Sequence, residues 1–245
     1  MTYKNMAHVY DRLMEDAPYD EWIHFLSYFS HAKKHPNILD VGCGTGEIPF
    51  LLEGKGYNVS AFDQSKAMIE IAKEKKNEKQ STIHFFQENA VSFSLDRSFD
   101  VIISFCDVYN YLIEENDLTS SFQSVYSHLE NNGLFIFDVH SLAYVEMLKE
   151  KEIFSEIYDD LAYVWLCYGE KKGEINHDLT FFVQDESGYF KRFDEFHVQK
   201  TYDVDFYKSK LVDTGFKQVD VYTDFSTNQT TINEDTKRIF FVCQK

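Results

Sequence analysis

Three glycines spaced two residues apart, Gly42, Gly44 and Gly46, lie between two acids, Asp40 and Glu47, in the stretch NILDVGCGTGEIPFLL (residues 37–52). An apolar run precedes the glycines and another follows them, so the pattern predicts a tight loop between a strand and a helix. Glycine lacks a Cβ atom and lets the backbone come close to a ligand. The ligand to be considered is a dinucleotide, a nucleotide phosphate or a molecule without phosphate.

The residue after the last glycine separates these ligands. A dinucleotide fingerprint reads GxGxxG, and Glu47 stands where its third glycine would fall. A carboxylate in the first helical turn repels a pyrophosphate and occupies the position that the helix dipole offers to an anion. No GKS or GKT sequence follows, which excludes a Walker phosphate loop. We therefore expect a ligand without phosphate, and Asp40 and Glu47 favour one with positive charge.

S-adenosylmethionine has an ammonium, a sulfonium, a ribose and an adenine, but no phosphate. In LDVGCGTG (residues 39–46) the sequence resembles the class I S-adenosylmethionine-dependent methyltransferases, whose first motif is an apolar strand, an acid and GxGxG. The resemblance, closest to small bacterial enzymes of this class, implies a Rossmann-like fold and S-adenosylmethionine as cofactor, with S-adenosylhomocysteine as product. It covers most of the chain and is poorest over residues 141–201.

An acid at the end of the second predicted strand is expected to bind the ribose. Asp63 lies in AFDQSKAM, 17 residues after Gly46, and a carboxylate can accept hydrogen bonds from both ribose hydroxyls. The alternative is that Asp63 only caps the following helix. By the resemblance, Gln64 and Met68 flank the adenine. Phe105 is expected at the ligand because it ends the fourth strand, and core packing is its equal alternative.

Two further segments complete the expected cofactor site. In QENAVSF (residues 87–93), Asn89 stands where relatives usually have an aspartate, and its oxygen can still accept from the adenine amine while the Ala90 N–H donates. The alternative for Asn89 is an ordinary turn residue. The N-terminal stretch MAHVYDRLMEDAPYDEW resembles the opening of small bacterial methyltransferases, which implies that Tyr10 approaches the cofactor.

Methyl transfer is an in-line displacement, so most of its acceleration comes from positioning, and a general base is needed only when the nucleophile loses a proton. His140, directly after the fifth strand in FDVHS, is the leading candidate for that base and Tyr109 the second; a structural histidine is an equal alternative. Tyr109 and Asn110 are also expected near the acceptor, because ligands gather at the carboxyl ends of parallel strands. Arg192 and His197 could face a small, even anionic, substrate or belong to a solvated face.

The elements that must position these residues alternate strictly. Strand and helix patterns follow one another up to residue 140, and a helix and two strands close the chain, which predicts a seven-stranded doubly wound α/β sheet. The resemblance implies that this sheet is of the Rossmann-like methyltransferase type. Residues 141–201 instead predict a small antiparallel β insertion after strand 5. We expect residues 1–140 and 202–245 to form the cofactor-binding domain and the insertion to form a lid over the substrate.

Composition limits the partners. The 245 residues carry a net charge of -17, whereas a nucleic acid or an anionic membrane would need a basic surface. Four scattered cysteines without a CxxC pair favour a reducing, cytoplasmic location, and HAKKH (residues 31–35) lacks the HExxH pattern of a metal site.

The resulting hypothesis is a cytoplasmic methyltransferase that acts on a small-molecule nitrogen or oxygen acceptor, without metal, nucleic-acid or membrane partner. A protein or RNA methyltransferase and a cofactor-binding regulatory protein without activity remain alternatives. A homodimer is left open.

Overall fold

The computed structural model describes residues 7–30 and 35–245. The strands are β1 (Asn37–Val41), β2 (Asn58–Asp63), β3 (His84–Gln87), β4 (Phe99–Ser104), β5 (Leu129–His140), β6 (Ile153–Ile157), β7 (Leu161–Tyr168), β8 (Glu174–Gln184), β9 (Phe190–Lys200), β10 (Gln218–Thr223) and β11 (Arg238–Gln244). The α-helices are α1 (Ala7–Leu13), α2 (Tyr19–Ser30), α3 (Glu47–Gly54), α4 (Lys66–Glu78), α5 (Glu115–His128), α6 (Leu142–Lys151) and α7 (Val204–Thr214).

Seven strands form the main sheet in the order β10-β11-β5-β4-β1-β2-β3. The pairs from β3 to β5 are parallel, whereas β11 runs antiparallel to both β5 and β10. The predicted doubly wound sheet with a final antiparallel pair is therefore confirmed. Strand order reverses at β1, which lies between β2 and β4, and ligands of such sheets bind at the carboxyl ends of the strands around this point.

The central strands are apolar because helices cover both faces of the sheet. In β4 and β1 almost every side chain is buried, as expected for parallel strands without a solvent face. One apolar core lies on each face of the sheet, and α2 and α3 pack on one side while α5 and α7 pack on the other. The two cores fix the strand ends, and the loops that follow them, in place.

The β insertion forms a second antiparallel sheet in the order β6-β7-β8-β9. The meander was predicted, but a helix at its start was not. Ser141 is the N-cap of helix α6, and its hydroxyl accepts from the Tyr144 N–H at 2.9 Å; the helix buries Val145 and Leu148 against Cys167 of β7. Only these two residues of α6 are buried, so the helical apolar period is too weak to stand out from the neighbouring strands.

Residues 31–34, including His31 of the HAKKH sequence, lie outside the described residues. Within the described part, no group of three or more His, Cys, Asp or Glu side chains could hold a metal ion. None of the described helices is long and apolar enough to cross a membrane.

Candidate active site

The three glycines of the β1–α3 loop all adopt positive φ angles, 81° at Gly42, 54° at Gly44 and 91° at Gly46. A Cβ atom on Gly42 would lie 2.5 Å from the Val108 side chain, and one on Gly46 would lie 2.9 Å from the Phe85 ring. These two positions therefore exclude any larger residue through backbone conformation and packing together. A Cβ atom on Gly44 would lie 3.8 Å from the Tyr10 ring of α1, an ordinary contact distance, so the space beside this glycine is open.

A cavity of about 270 Å³ lies above this loop, at the point where strand order reverses. It gathers the expected cofactor residues from four separate loops, with the exception of Gly46, whose role is to pack on Phe85. The expected residues that line it are Tyr10, Asp40, Gly42, Gly44, Asp63, Gln64, Met68, Asn89, Ala90 and Phe105. The sequence did not predict Tyr19, Ile48, Tyr111 and Asp117, which also line it.

Asp63 connects the glycine loop to the next helix. One carboxylate oxygen accepts the Gly44 N–H at 3.0 Å and the other accepts the Ser65 N–H at 2.7 Å. The N-cap of α4 is Ser65, whose hydroxyl accepts from Met68 N–H at 3.4 Å, so Asp63 is not that cap. Each carboxylate oxygen has a second lone pair, which leaves Asp63 able to accept hydrogen bonds from a ligand in the cavity.

Asp40, at 2% exposure, lies deeper in the same cavity. Burial, and then the charge of Asp63, raises the pKa of Asp40 to about 8. Burial also raises the pKa of Asp63, although its two backbone N–H donors oppose this. The charged forms of buried Asp40 and partly buried Asp63 are both disfavoured, and a cation bound between them would stabilise both. The cavity thus suits a positively charged ligand.

Glu47 contributes less to this preference than its position in the sequence suggested. Its carboxylate lies 2.6 Å from the Lys75 ammonium of α4, which also pairs with Asp11 of α1 at 2.5 Å. The charge of Glu47 is therefore shared with a cation of the protein. The preference for a positive ligand rests on Asp40 and Asp63 instead.

Helix α1 connects the glycine loop to the β insertion. Asp11 accepts a hydrogen bond from the Thr45 hydroxyl at 2.5 Å, and Arg12 pairs with Asp160 of the β6–β7 turn at 2.5 Å. Tyr10, the residue before them, lines the cofactor cavity. Three consecutive residues of one short helix therefore contact the loop, the cavity and the insertion.

A second cavity of about 350 Å³ lies between the carboxyl ends of the main sheet and the inner face of the insertion. Its walls are mainly aromatic, and it shares three lining residues, Tyr10, Cys106 and Tyr111, with the first cavity. The other aromatic walls are Tyr144, Tyr163, Trp165 and Phe181; the polar residues are Asp107, His140, His177, His197, Gln199 and Arg238. We call it the acceptor cavity.

Two expected site residues, Tyr109 and Asn110, belong to the framework rather than to the cavity. Tyr109 is fully buried in the core, its hydroxyl lies 2.7 Å from the Ser121 hydroxyl, and its ring stacks on Phe122. Burial raises its pKa, so it is unsuited to proton transfer. Asn110 accepts the His140 N–H at 2.9 Å and donates to the Lys200 carbonyl at 2.9 Å. It joins the end of β5 to the end of the insertion.

The two candidates on β9 separate onto opposite faces. Strand alternation places His197 on the inner face, where it lines the acceptor cavity, and Arg192 on the outer face. The Arg192 side chain is 61% exposed and pairs with Asp194 at 2.8 Å. The interpretation of Arg192 as a contact for an anionic substrate is therefore corrected, because its side chain lies on the solvated face.

A fully buried carboxylate, Asp138, holds the turn after β4. It accepts the N–H groups of Cys106 and Asp107 at 3.0 and 3.1 Å and the indole N–H of Trp22 at 2.9 Å, and it pairs with the Arg238 guanidinium. Cys106 and Asp107 have φ angles of 59° and 54°, a strained conformation for residues other than glycine. The hydrogen bonds to Asp138 fix this strained turn at the edge of both cavities.

His140 and Asp107 form a dyad in the acceptor cavity. Nε2 of His140 lies 3.4 Å from the Asp107 carboxylate, which also pairs with Arg238 at 3.2 Å and accepts from Gln199 at 2.8 Å. Burial alone would raise the pKa of Asp107, but His140 and Arg238 together lower it well below its usual value. Asp107 is thus an anion at neutral pH. Nδ1 of His140 is buried and has no hydrogen-bond partner among the described residues.

The sequence pattern did not identify Asp107, Asp138 or Arg238. Asp138 carried a signal, since it is the only acid in the apolar run LFIFDVH and buried carboxylates require partners. Arg238 carried no such signal. It lies 131 residues after Asp107 in the sequence, and the pairing of β11 with β5 brings the two side chains together.

Known proteins resemble this chain over its full length. A family model described as a methyltransferase domain matches residues 38–133. A protein of Geobacillus sp. (strain WCH70) is 39% identical over the full length of both chains. One of Bacillus subtilis (strain 168) is 35% identical over 100% of this chain and 98% of its own. Both are provisionally named methyltransferases.

Among solved structures, an S-adenosylmethionine-dependent methyltransferase from Clostridium acetobutylicum ATCC 824 superimposes with a TM-score of 0.86 at 27% identity. The match covers 99% of this chain and 98% of that one, so it extends over the β insertion as well as the main sheet.

Proposed function

The chain belongs to the class I S-adenosylmethionine-dependent methyltransferases, and from this premise we propose that it methylates a small, uncharged or cationic molecule at an oxygen or nitrogen that carries a proton. S-adenosylmethionine is the methyl donor. The identity of the acceptor class and the roles of individual residues are the proposal.

The residues around the first cavity fit this cofactor. Buried Asp40 and partly buried Asp63 have raised pKa values, and a ligand with an ammonium and a sulfonium would stabilise both in their charged forms. We assign the ribose hydroxyls to Asp63 and the adenine amine to Asn89. When bound, S-adenosylmethionine supplies a methyl carbon already activated by its sulfonium.

The observation that carries the proposal is the wall common to the two cavities. Tyr10, Cys106 and Tyr111 line both, so a donor in the first cavity and an acceptor in the second would approach each other there. Holding two reactants aligned and in contact is worth about 7–11 kcal/mol of a reaction barrier at most. The positioning of both molecules by the protein is therefore the main contribution we assign to this site.

The dimensions and charge of the acceptor cavity favour a small molecule. A space of about 350 Å³ with aromatic walls is within the usual range for small ligands. Arg238, a cation that lines the acceptor cavity, is already paired with two carboxylates, Asp107 and Asp138. Burial, the largest cause, lowers the pKa of both His177 and His197 to about 4, so neither carries positive charge at neutral pH. A carboxylate acceptor would find no spare cation.

His140 is our candidate for the general base. The Asp107 carboxylate accepts the Nε2–H of the ring, which leaves the lone pair of Nδ1 as the basic site. Nδ1 is buried, so the side chains around it must move before the acceptor can reach it. The positive charge that His140 gains is stabilised by Asp107, and it replaces the charge that is lost when the methyl group leaves its sulfonium. Net charge in the site is thus unchanged during transfer.

Titration calorimetry with S-adenosylmethionine and a screen with labelled methyl donor test the proposal together. We expect the cofactor to bind, and labelled methyl groups to appear on neutral alcohols, phenols or amines but not on carboxylates. Transfer only to proteins or RNA, or binding without any transfer, would contradict the acceptor class. Binding of NADH in place of S-adenosylmethionine would contradict the cofactor site itself.

A further inference from the structure

Three polar side chains of the insertion form a continuous hydrogen-bonded chain that ends on the dyad. The indole nitrogen of Trp165 lies 3.0 Å from Nδ1 of His177, and Nε2 of His177 lies 3.0 Å from the Gln199 amide oxygen. The Gln199 amide nitrogen lies 2.8 Å from Oδ2 of Asp107. The other oxygen of Asp107 faces Nε2 of His140. The chain thus extends from β7 through β8 and β9 to the turn after β4.

The direction of this chain follows from its first member. An indole N–H only donates, so Nδ1 of His177 must accept, and the proton of the neutral ring lies on Nε2. That N–H donates to the Gln199 oxygen, which orients the amide NH₂ group toward Asp107. The indole N–H, which can only donate, thus determines both the tautomer of His177 and the orientation of the Gln199 amide.

Burial supports the assignment. His177 and Gln199 are buried, and burial, followed by the charge of His140, lowers the pKa of His177 to about 4 despite the opposing effect of Gln199. The ring is therefore neutral at pH 7, as the chain requires. The thiol sulfur of Cys167 lies 3.6 Å from the same Nδ1. A thiol is a weak donor at most, so it cannot reverse the direction set by the indole.

We propose that Trp165, His177 and Gln199 are positioning residues that hold Asp107 so that His140 keeps its proton on Nε2 and presents Nδ1 as the base. This assignment rests on the proposed function of His140. It gives the insertion a second role beyond enclosing the acceptor, because the orientation of the catalytic carboxylate depends on side chains from β7, β8 and β9.

The chain also explains why these three residue types occur on the inner face. A largely buried carboxylate with an unfilled lone pair loses stability, and among the described residues Gln199 donates to Oδ2 of Asp107. Arg238 and His140 both approach Oδ1. Loss of Gln199 would thus free Oδ2 and allow the carboxylate to rotate about its Cβ–Cγ bond. His140 would then lose its fixed acceptor.

Nuclear magnetic resonance of protein with ¹⁵N-labelled histidine tests the proposal without any acceptor. At pH 7.5, His177 and His140 should both show the chemical shifts of the Nε2–H tautomer. In Gln199→Leu we expect His140 to show a mixture of tautomers. In Trp165→Phe, which removes only the indole donor and a little volume, we expect the mixture at His177. Phe196→Ala, on the outer face of the same strand as Gln199, is the matched control and should change neither spectrum.

An Nδ1–H tautomer of His177 in the unmodified protein would overturn the proposal, and so would an unchanged Nε2–H tautomer of His140 in Gln199→Leu. With an acceptor from the labelled screen, Gln199→Leu should lower kcat about tenfold, as loss of an orienting partner does in metal sites. Calorimetry with S-adenosylmethionine reports separately on the cofactor site. Failure of the methyl-transfer proposal therefore leaves the tautomer result interpretable, and the reverse also holds.

Discussion

The cofactor cavity and the acceptor cavity are built from different kinds of sequence. The cofactor cavity is lined mainly by the loops that directly follow β1, β2, β3 and β4, together with Tyr10 and Tyr19 of the first two helices, all within the first half of the chain. The acceptor cavity is assembled from α1, the β4 turn, the end of β5, α6, three strands of the insertion and the first residue of β11. Local sequence motifs therefore encode most of the cofactor cavity, whereas the acceptor cavity depends on pairing between strands that are far apart in the sequence. Each of the following predictions addresses one side of this contrast.

The largest expected effect is on stability, at the acceptor side. Arg238→Met leaves the fully buried carboxylate of Asp138 and the partly buried one of Asp107 without their guanidinium, which should lower the free energy of unfolding by about 3–5 kcal/mol. Urea denaturation measures this change. Arg192→Met, at an exposed pair, is the control and should change stability by about 0.5 kcal/mol at most. Equal effects of both substitutions would mean that the buried network does not differ energetically from a surface pair.

The second effect is on catalysis. His140→Gln keeps a donor for Asp107 but has no basic nitrogen, so kcat should fall by about 100-fold or more, within the usual range for a general base. Calorimetry should give an S-adenosylmethionine affinity within about twofold of the unmodified protein, because His140 does not line the cofactor cavity. A kcat close to the original would show that the acceptor needs no base.

The third effect lies on the cofactor side. Asp63→Ala removes a charged hydrogen-bond acceptor from the cavity and should weaken S-adenosylmethionine binding by about tenfold or more. Glu70→Ala, at an exposed acid of α4 that lies outside the cavity, should leave the affinity unchanged. An affinity unaltered by Asp63→Ala would remove this residue from the ribose.

The smallest effect concerns pH. Because the pKa of Asp40 is raised from 3.8 to about 8, the folded, cofactor-free protein keeps a proton that the unfolded chain has lost. The contribution of Asp40 to stability therefore decreases as pH rises between these values. If the cofactor ammonium binds the ionised form, affinity should rise from pH 6.5 to 7.5, by about tenfold at most for one group. Binding should then release a proton.

Calorimetry in buffers of different ionisation enthalpy measures that proton directly. Asp40→Asn should abolish both the release and the pH dependence of affinity that comes from this carboxyl. A wild-type affinity that is flat over this range, with no proton released, would place the cofactor ammonium away from Asp40.

The sequence predicted the fold well because each strand–loop–helix unit is locally encoded. Glycine spacing, the acid at the end of β2 and the apolar runs of β1 and β4 require only nearby residues. Helix α6 was missed because only Val145 and Leu148 of its apolar face are buried. So short a helical pattern does not stand out beside the strand patterns that follow it, and the segment was therefore predicted as part of the β insertion.

The candidate site was predicted only in part, because nearby residues do not encode which way a side chain faces or which distant strands pair. Tyr109 follows a strand end, yet the short helix after β4 turns its ring into the core beside Phe122. Arg192 and His197 differ only in the parity of their position on β9, and no local pattern reveals which face of an amphipathic strand is the inner one. The Asp107–Arg238 pair depends on strand order, which a single sequence does not state.

Helix α1 has a kinetic consequence. Asp11 ties it to the glycine loop and Arg12 ties it to the insertion, while Tyr10 stands in the wall common to both cavities. Because both cavities share this wall, we expect the cofactor and the acceptor not to enter and leave independently of each other. We expect the methylated product to leave first, through opening of the exposed Arg12–Asp160 pair alone. The spent cofactor should leave second, after the Asp11 contacts also open, so that turnover follows a compulsory order.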